Sequence, residues 1–377
     1  MKIQSKRVYL EEKFQEACIE IDGGVITNVT KGVQEKVDID YGSLRILPGF
    51  IDIHCHGYNM MAINSATYDG LVGWMKRLPM EGVTSFLPSS STAPEDELLK
   101  SFSLVSKVKE ERIFGTQILG INVEGPQISF THNGAQNPYY IQKPDIDQFK
   151  RYQKAANGII KLITIAPEMD EHHSLIKYCA ASGIKVSLGH SGASYEEANK
   201  AIADGVNSIT HTFNGMTQME HRAPGVAGAA MINDNVYAEL ISDGIHVHQG
   251  ACKILARCKG RDKLILVSDS AQIKGLKPGV YETFGRTLIV ADDGSVRLEN
   301  GKLAGSTNSI NILVKRAIED MGIEEATVFN AVTINPATML ECNNKGKLEI
   351  GRDGDIIVLN DDYSIKDAFL LGKKFES

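Results

Sequence analysis

Five short apolar runs in this chain each end on a residue type that binds metal ions. They read Gly-Phe-Ile-Asp-Ile-His-Cys-His (49–56), Ile-Leu-Gly-Ile-Asn-Val-Glu (118–124), Lys-Val-Ser-Leu-Gly-His (185–190), Ser-Ile-Thr-His (208–211) and Leu-Ile-Leu-Val-Ser-Asp (264–269). Such runs, rich in β-branched residues, are the pattern of strands in a parallel sheet. When a parallel sheet closes into a (β/α)8 barrel, the C-terminal ends of all strands face one cavity, and residues distant in sequence converge there. Imidazole and carboxylate together suit a divalent transition metal such as Zn or Fe(II). The pattern therefore points to hydrolysis by a metal-activated water.

The rest of the chain supports this frame. Its 377 residues exceed the usual size of one core, so a barrel with a smaller module is the natural expectation. Barrel strands are predicted at 49–56, 84–89, 118–124, 160–166, 185–190, 208–213, 237–242 and 264–269. Eight strands within about 220 residues fit a TIM-like barrel. Helical patterns lie between most of them, the clear ones being Thr67–Met80, Pro94–Lys109, Asp170–Ala181, Ser194–Ala203 and Ile310–Met321. Ser194-Tyr-Glu-Glu197 has the form of a capping box. Residues 1–47 alternate short apolar runs with turns, including a hairpin signal at Asp22-Gly23-Gly24. Residues 344–377 repeat that style. The two ends are read as one small β-sandwich domain, and 48–343 as the barrel. The Gly-rich segment 272–305 is expected to form a hairpin excursion near the mouth of the site.

Composition excludes several classes. Net charge is −7 and no basic stripe is visible, which argues against nucleic acid as the main partner. No segment is long and apolar enough to span a membrane, and the N-terminus has no apolar signal core. The six cysteines lack paired spacing, consistent with a cytoplasmic location and reduced thiols. Cys55, between two histidines, is expected to point away from them, because side chains alternate along a strand.

Each ligand candidate has a local rationale. A spacing of two on a strand puts His54 and His56 on one face. Glu124 precedes Gly125-Pro126, a strand stop that leaves the carboxylate at the strand end. His190 and His211 end successive strands and can be neighbours. Asp269 ends the last strand, where a carboxylate beside a metal can take a proton from water and return it to a leaving amine. Any one of these alone reads as an ordinary polar group or helix cap; five in barrel order do not.

From Leu47-Pro-Gly-Phe-Ile-Asp-Ile-His-Cys-His-Gly57 to Leu303-Ala-Gly-Ser-Thr307, the chain resembles the N-acetylglucosamine-6-phosphate deacetylase family of the amidohydrolase superfamily. The blocks between are Asn122-Val-Glu-Gly-Pro126, Gly134-Ala-Gln-Asn-Pro138, Leu188-Gly-His-Ser191, Thr210-His-Thr-Phe-Asn-Gly-Met216, Arg222-Ala-Pro-Gly-Val226, Ser242-Asp-Gly-Ile-His246 and Val267-Ser-Asp-Ser270. The resemblance implies Glu124, His190 and His211 as ligands of the principal metal and Asp269 as the catalytic acid–base. It implies substrate contacts from His246, Gln136, Ala135, His132 and Leu303. Phosphate would meet the backbone amides of Asn214 and Gly215, and Arg222 reaching across a homodimer interface. Amides and a guanidinium suit a phosphate dianion.

Three positions depart from the commonest family pattern. The His54-x-His56 pair, lost in some members, is intact, so one or two metals can be held, with Zn2+ or Fe2+ favoured over Mn2+ or Co2+. Gln136 stands where some members have histidine, and Ala223 where glutamate is usual. A hydrolase for cyclic amides would often carry a carbamylated lysine at the fourth strand end, where this chain has Ile165-Ala-Pro-Glu168. A non-catalytic assembly protein would be expected to lose ligands, and none is lost here.

Overall fold

The computed structural model describes residues 1–283 and 286–376. Eight parallel strands build the barrel: β1 (Phe50–Cys55), β2 (Val83–Ser90), β3 (Ile121–Glu124), β4 (Ile160–Ile165), β5 (Lys185–Leu188), β6 (Val206–Ile209), β7 (Tyr237–Leu240) and β8 (Leu264–Leu266). Each pairs in parallel with the next. The ring closes through backbone bonds beyond β8: Asp269 N–H donates to the His54 carbonyl at 2.9 Å, and His56 N–H to the Ser270 carbonyl at 2.8 Å. Closure thus falls between two segments that carry ligand candidates, His54–His56 and Asp269.

Among the described residues ten α-helices flank the strands: α1 (Tyr68–Arg77), α2 (Glu95–Glu110), α3 (Ile146–Ala155), α4 (Ser174–Ala181), α5 (Tyr195–Asp204), α6 (Gly225–Ile232), α7 (Gln249–Lys263), α8 (Ile310–Glu319), α9 (Glu325–Val332) and α10 (Ile334–Met339). Their apolar faces make one continuous core with the outer side of the barrel, including Leu71 and Trp74 of α1, Phe102 of α2 and Tyr152 of α3. A second buried cluster joins Ile51, Ile53, Leu87, Leu162 and Ile265 to Ala337, Met339 and Leu340.

The capping box at α5 is present: Ser194 accepts from Glu197 N–H while Glu197 accepts from Ser194 N–H. The helix expected from Asp170 begins at Ser174. His172 and His173 adopt positive φ, and the Asp170 carboxylate accepts from the N–H groups of Leu175 and Ile176. The clear helical patterns of the sequence do not include α3, α6 or α7, although α3 has an Asp145 cap and an apolar stripe of Ile146, Phe149 and Tyr152. The α6 run Gly-Val-Ala-Gly-Ala-Ala-Met-Ile is apolar nearly throughout, so it has no polar stripe to mark a period.

Strands from both chain ends form a separate eight-stranded sheet. Along it run Lys373–Lys374, Ile365–Leu370, Ile356–Leu359, Arg45–Pro48, Lys2–Leu10, Lys13–Asp22 and Val25–Lys31, with Ile39–Asp40 beside Lys2–Leu10. It carries its own core, built on Ile3, Val8, Ile19, Ile46, Val358 and Phe369. The Asp22-Gly-Gly turn is a hairpin, with Gly23 and Gly24 both at positive φ. The excursion after β8 is larger than one hairpin. Gly279–Thr283, Arg286–Val290, Ser295–Leu298 and Leu303–Ser306 form a four-stranded antiparallel sheet.

Candidate active site

Four imidazoles and two carboxylates from β1, β3, β5, β6 and β8 meet at the C-terminal end of the barrel. Glu124 is the hub: its Oε1 lies 3.0 Å from His211 Nε2, 3.1 Å from His190 Nε2 and 3.3 Å from His54 Nε2. Its Oε2 lies 3.4 Å from His56 Nε2. Asp269 Oδ1 is 3.2 Å from His56 Nε2 and 3.8 Å from His54 Nε2. Two overlapping donor groups result, His54–Glu124–His211 and His54–His56–Asp269.

The outer nitrogens show what the inner ones are for. Every ring presents Nδ1 to an oxygen: His54 to Glu239 at 2.9 Å, His56 to the Ser89 carbonyl at 3.1 Å, His190 to the His132 carbonyl at 2.9 Å and His211 to the Asn214 carbonyl at 3.2 Å. An Nδ1–H that donates outward leaves Nε2 as a lone pair. Those lone pairs face one another, with 3.2 Å between His54 and His56 and 3.2 Å between His190 and His211. Facing lone pairs and buried carboxylates repel unless a positive charge sits among them. The donor set fits a divalent transition metal, and its Nδ1 partners are the outer contacts usual around metal-binding histidines.

The electrostatics agree. Burial opposes ionisation of Asp269, yet the imidazoles around it, His56 in contact and His54 and His211 nearby, hold its pKa at about 2. Glu124 is buried too, and His190 and His54 still keep it well below the usual carboxylate range. Burial lowers the pKa of His54, but Glu124 and Glu239 overcome this and carry it well above the ordinary value. The cluster attracts positive charge, as a proton or as a cation.

Strain marks the same residues. His190, His211 and Asp269 have φ of 47°, 26° and 44°, in the left-handed region that non-glycine residues rarely occupy. The strands therefore stop two or three residues before their ligands, at Leu188, Ile209 and Leu266. They do not run through them as the apolar patterns predict. Cys55 turns away, its Sγ lying 3.6 Å from the Leu87 carbonyl.

A cavity of about 750 Å³ opens above the cluster. His56, Glu124, His190, His211 and Asp269 line it, as do His132, Ala135, Gln136, Asn214, Gly215, His246 and Leu303. His246 Nδ1 donates to the Asp243 carboxylate at 2.7 Å, while its buried Nε2 has no partner among the described residues. Gly134 and Gly215 pack on the His190 ring. A Cβ at Gly134 would lie 3.1 Å from its Cε1, and one at Gly215 2.9 Å from its Nδ1, and both glycines have positive φ. Larger residues would push the imidazole out of place.

Several candidates have duties the sequence did not suggest. Gln136 Nε2 donates to Glu124 Oε2 at 2.6 Å, and its Oε1 accepts from Thr92 N–H at 2.6 Å. It steadies the hub carboxylate. Asn214 N–H already donates to the His211 carbonyl, leaving Gly215 N–H as the amide without a partner among the described residues. Arg222 is exposed and lies outside its own chain's cavity. Among the described residues the lysine and arginine lining that cavity are Arg286, on a strand of the excursion sheet, and Lys302, in the turn before its last strand. Arg286 donates to the Ala135 carbonyl. Glu239, buried on β7, was invisible in sequence because Tyr-Ala-Glu-Leu ends in no ligand pattern; a charged residue inside a predicted barrel strand was the available signal.

Comparison with known proteins places this arrangement. The Amidohydrolase family profile matches residues 45–376. The N-acetylglucosamine-6-phosphate deacetylase of Bacillus subtilis (strain 168) is 36% identical over 324 residues, 85% of this chain and 82% of that protein. The enzyme of the same name from Vibrio furnissii is 30% identical over 363 residues, 95% of this chain and 90% of that protein. Among solved structures, a mutant N-acetyl-D-glucosamine-6-phosphate deacetylase from Mycobacterium smegmatis, in complex with N-acetyl-D-glucosamine-6-phosphate, superposes with a TM-score of 0.92. It is 26% identical and covers 100% of this chain and 99% of its own. The chain belongs to the amidohydrolase family and, within it, to the group of the N-acetylglucosamine-6-phosphate deacetylases.

Proposed function

We propose that the protein hydrolyses N-acetyl-D-glucosamine 6-phosphate to D-glucosamine 6-phosphate and acetate, as an enzyme of amino-sugar breakdown and recycling in the cytoplasm. The observation that carries this reading is the convergence of four imidazole Nε2 atoms with Glu124 and Asp269 at the floor of a sugar-sized cavity, in a chain of this family. Glu124, His190 and His211 would hold the principal divalent ion, and His54, His56 and Asp269 a second position. Zn2+ or Fe2+ suit these ligands best, with Mn2+ or Co2+ next. When bound, such an ion supplies Lewis-acid polarisation and an acidified water.

The chain's own residues do the rest. The Asp269 carboxylate, held ionised, accepts the proton of the attacking water and returns it to the departing amine nitrogen. His246 Nε2, a buried ring nitrogen without a partner among the described residues, hydrogen-bonds the sugar or the carbonyl oxygen, and His132 offers a second imidazole on the cavity lining. Gly134 and Gly215 keep His190 in place. Gly215 N–H meets the phosphate, helped by Arg286 and Lys302 from the same chain and by Arg222 of a second copy in a homodimer. Ala135, Asn214 and Leu303 shape the sugar pocket.

Metal analysis of the purified protein, alongside acetate release from phosphorylated and unphosphorylated N-acetylglucosamine, tests the reading. About one or two equivalents of divalent metal and a strong preference for the phosphorylated sugar are expected. Equal rates on both sugars would remove the substrate assignment, and metal-independent turnover would remove the chemistry.

A further inference from the structure

Among the four ligand-type histidines, His54 differs in its outer partner. His56, His190 and His211 face backbone carbonyls, whereas His54 Nδ1 faces the carboxylate of Glu239 at 2.9 Å. The same Glu239 oxygen accepts from the backbone N–H of His211 at 3.1 Å. The Glu239 carbonyl in turn accepts from Thr212 N–H at 2.8 Å. One side chain thus touches two segments, β1 and the end of β6, that enter the cluster from different sides. Glu239 is fully buried, and its second oxygen has no hydrogen-bond partner among the described residues.

A buried carboxylate with one bare oxygen costs free energy, and no lysine or arginine nitrogen lies within ion-pair distance of Glu239 among the described residues. His54 is also the residue common to both donor groups of the cluster. A carboxylate behind an imidazole fixes which nitrogen carries the proton, locks the ring and makes the inner nitrogen a stronger donor to a cation.

We propose that Glu239 is a positioning residue for the metal centre. It holds His54 with Nδ1 protonated and Nε2 free toward the cluster, and it anchors the His211 backbone, so that one carboxylate positions a ligand of each proposed ion. This rests on the metal reading above. It predicts that Glu239 governs the affinity of the centre without touching ion or substrate.

The test compares wild type with Glu239→Gln and Glu239→Leu. Stripped protein is titrated with Zn(II) against a chromogenic chelator, the Co(II) absorption spectrum is recorded, and the melting of the metal-free forms is measured. Glu239→Leu should bind metal roughly 10- to 100-fold more weakly, with an altered Co(II) spectrum. Glu239→Gln retains an acceptor oxygen and should fall between, so it decides the matter if the leucine variant does not fold. Zn(II) affinity and Co(II) spectra equal to wild type in the folded variants would overturn the proposal. So would a lower melting temperature of the metal-free form with unchanged affinity, which marks a purely structural role. Wild type that binds no metal would instead overturn the metal reading itself.

Discussion

At the scale of single residues, the site depends on side chains whose backbone or hydrogen bonds leave them little freedom. Asp269 is the clearest case. Its left-handed φ aims the carboxylate at His56, and the imidazoles hold it ionised. Asp269→Asn keeps the shape and one oxygen for metal but cannot accept the proton of water. Its kcat should fall by roughly 10²–10⁴ while bound metal stays near the wild-type level, as assayed by acetate release and metal analysis. Arg286 is half-buried without a carboxylate partner among the described residues, and burial lowers its pKa. A cation so placed gains from an anion arriving in the cavity. Arg286→Met should raise KM for the phosphorylated sugar by roughly 10-fold or more, the effect of losing one charge-assisted contact. Hydrolysis of the unphosphorylated sugar should hardly change. Equal losses on both would assign Arg286 to holding the Ala135 loop.

At the scale of elements, the closing seam between β8 and β1 matters most. Asp52 spans it: one carboxylate oxygen accepts from His54 N–H at 3.2 Å, and the other accepts from the Ser268 hydroxyl. Burial pushes the Asp52 pKa up to about 6, against the pull of the Ser268 hydrogen bond and the Lys274 charge. Its folded-state pKa exceeds the unfolded value of 3.8, so the folded protein binds that proton more tightly. The stability this contributes is full below about pH 4 and is lost as pH rises through about 6. Asn at this position keeps the acceptor oxygen and has no charge to bury. Denaturant unfolding of the metal-free protein from about pH 4 to about pH 7 should therefore show a flatter fall in stability for Asp52→Asn than for wild type. The same scale shows where sequence patterns failed. Alternation and apolar runs located all eight barrel strands. They missed α6, whose eight residues have no polar face, and they over-extended β5, β6 and β8 through residues that positive φ removes from the ladder.

At the scale of the whole molecule, Arg222 poses the question of assembly. It sits on the exposed segment between β6 and α6, outside its own cavity, so a phosphate contact requires a second copy. Arg222→Ala should raise KM for the phosphorylated sugar by roughly 10- to 100-fold. Mixing Arg222→Ala protomers with Asp269→Asn protomers should then restore activity, because one site of each hybrid dimer holds both intact residues. No recovery after verified subunit exchange would leave phosphate recognition to Gly215, Arg286 and Lys302 of a single chain. No helix of the described residues is long and apolar enough to cross a membrane.

The ligand-bearing segments were legible because a parallel barrel needs apolar strands with functional groups at one end, and both demands fall on adjacent residues. His54-x-His56, Glu124, His190, His211 and Asp269 could each be read locally, and barrel topology supplied the reason for them to meet. What only the tertiary structure decided is how those groups are held. The Glu239 contact to His54, the Gln136 contact to Glu124 and the Asp52 seam join residues 185, 12 and 216 positions apart. Such contacts leave no period or spacing in a sequence. They arise where the closed barrel and its loops bring different parts of the chain into contact, and the left-handed backbone that aims three of the ligands sits at those same strand ends.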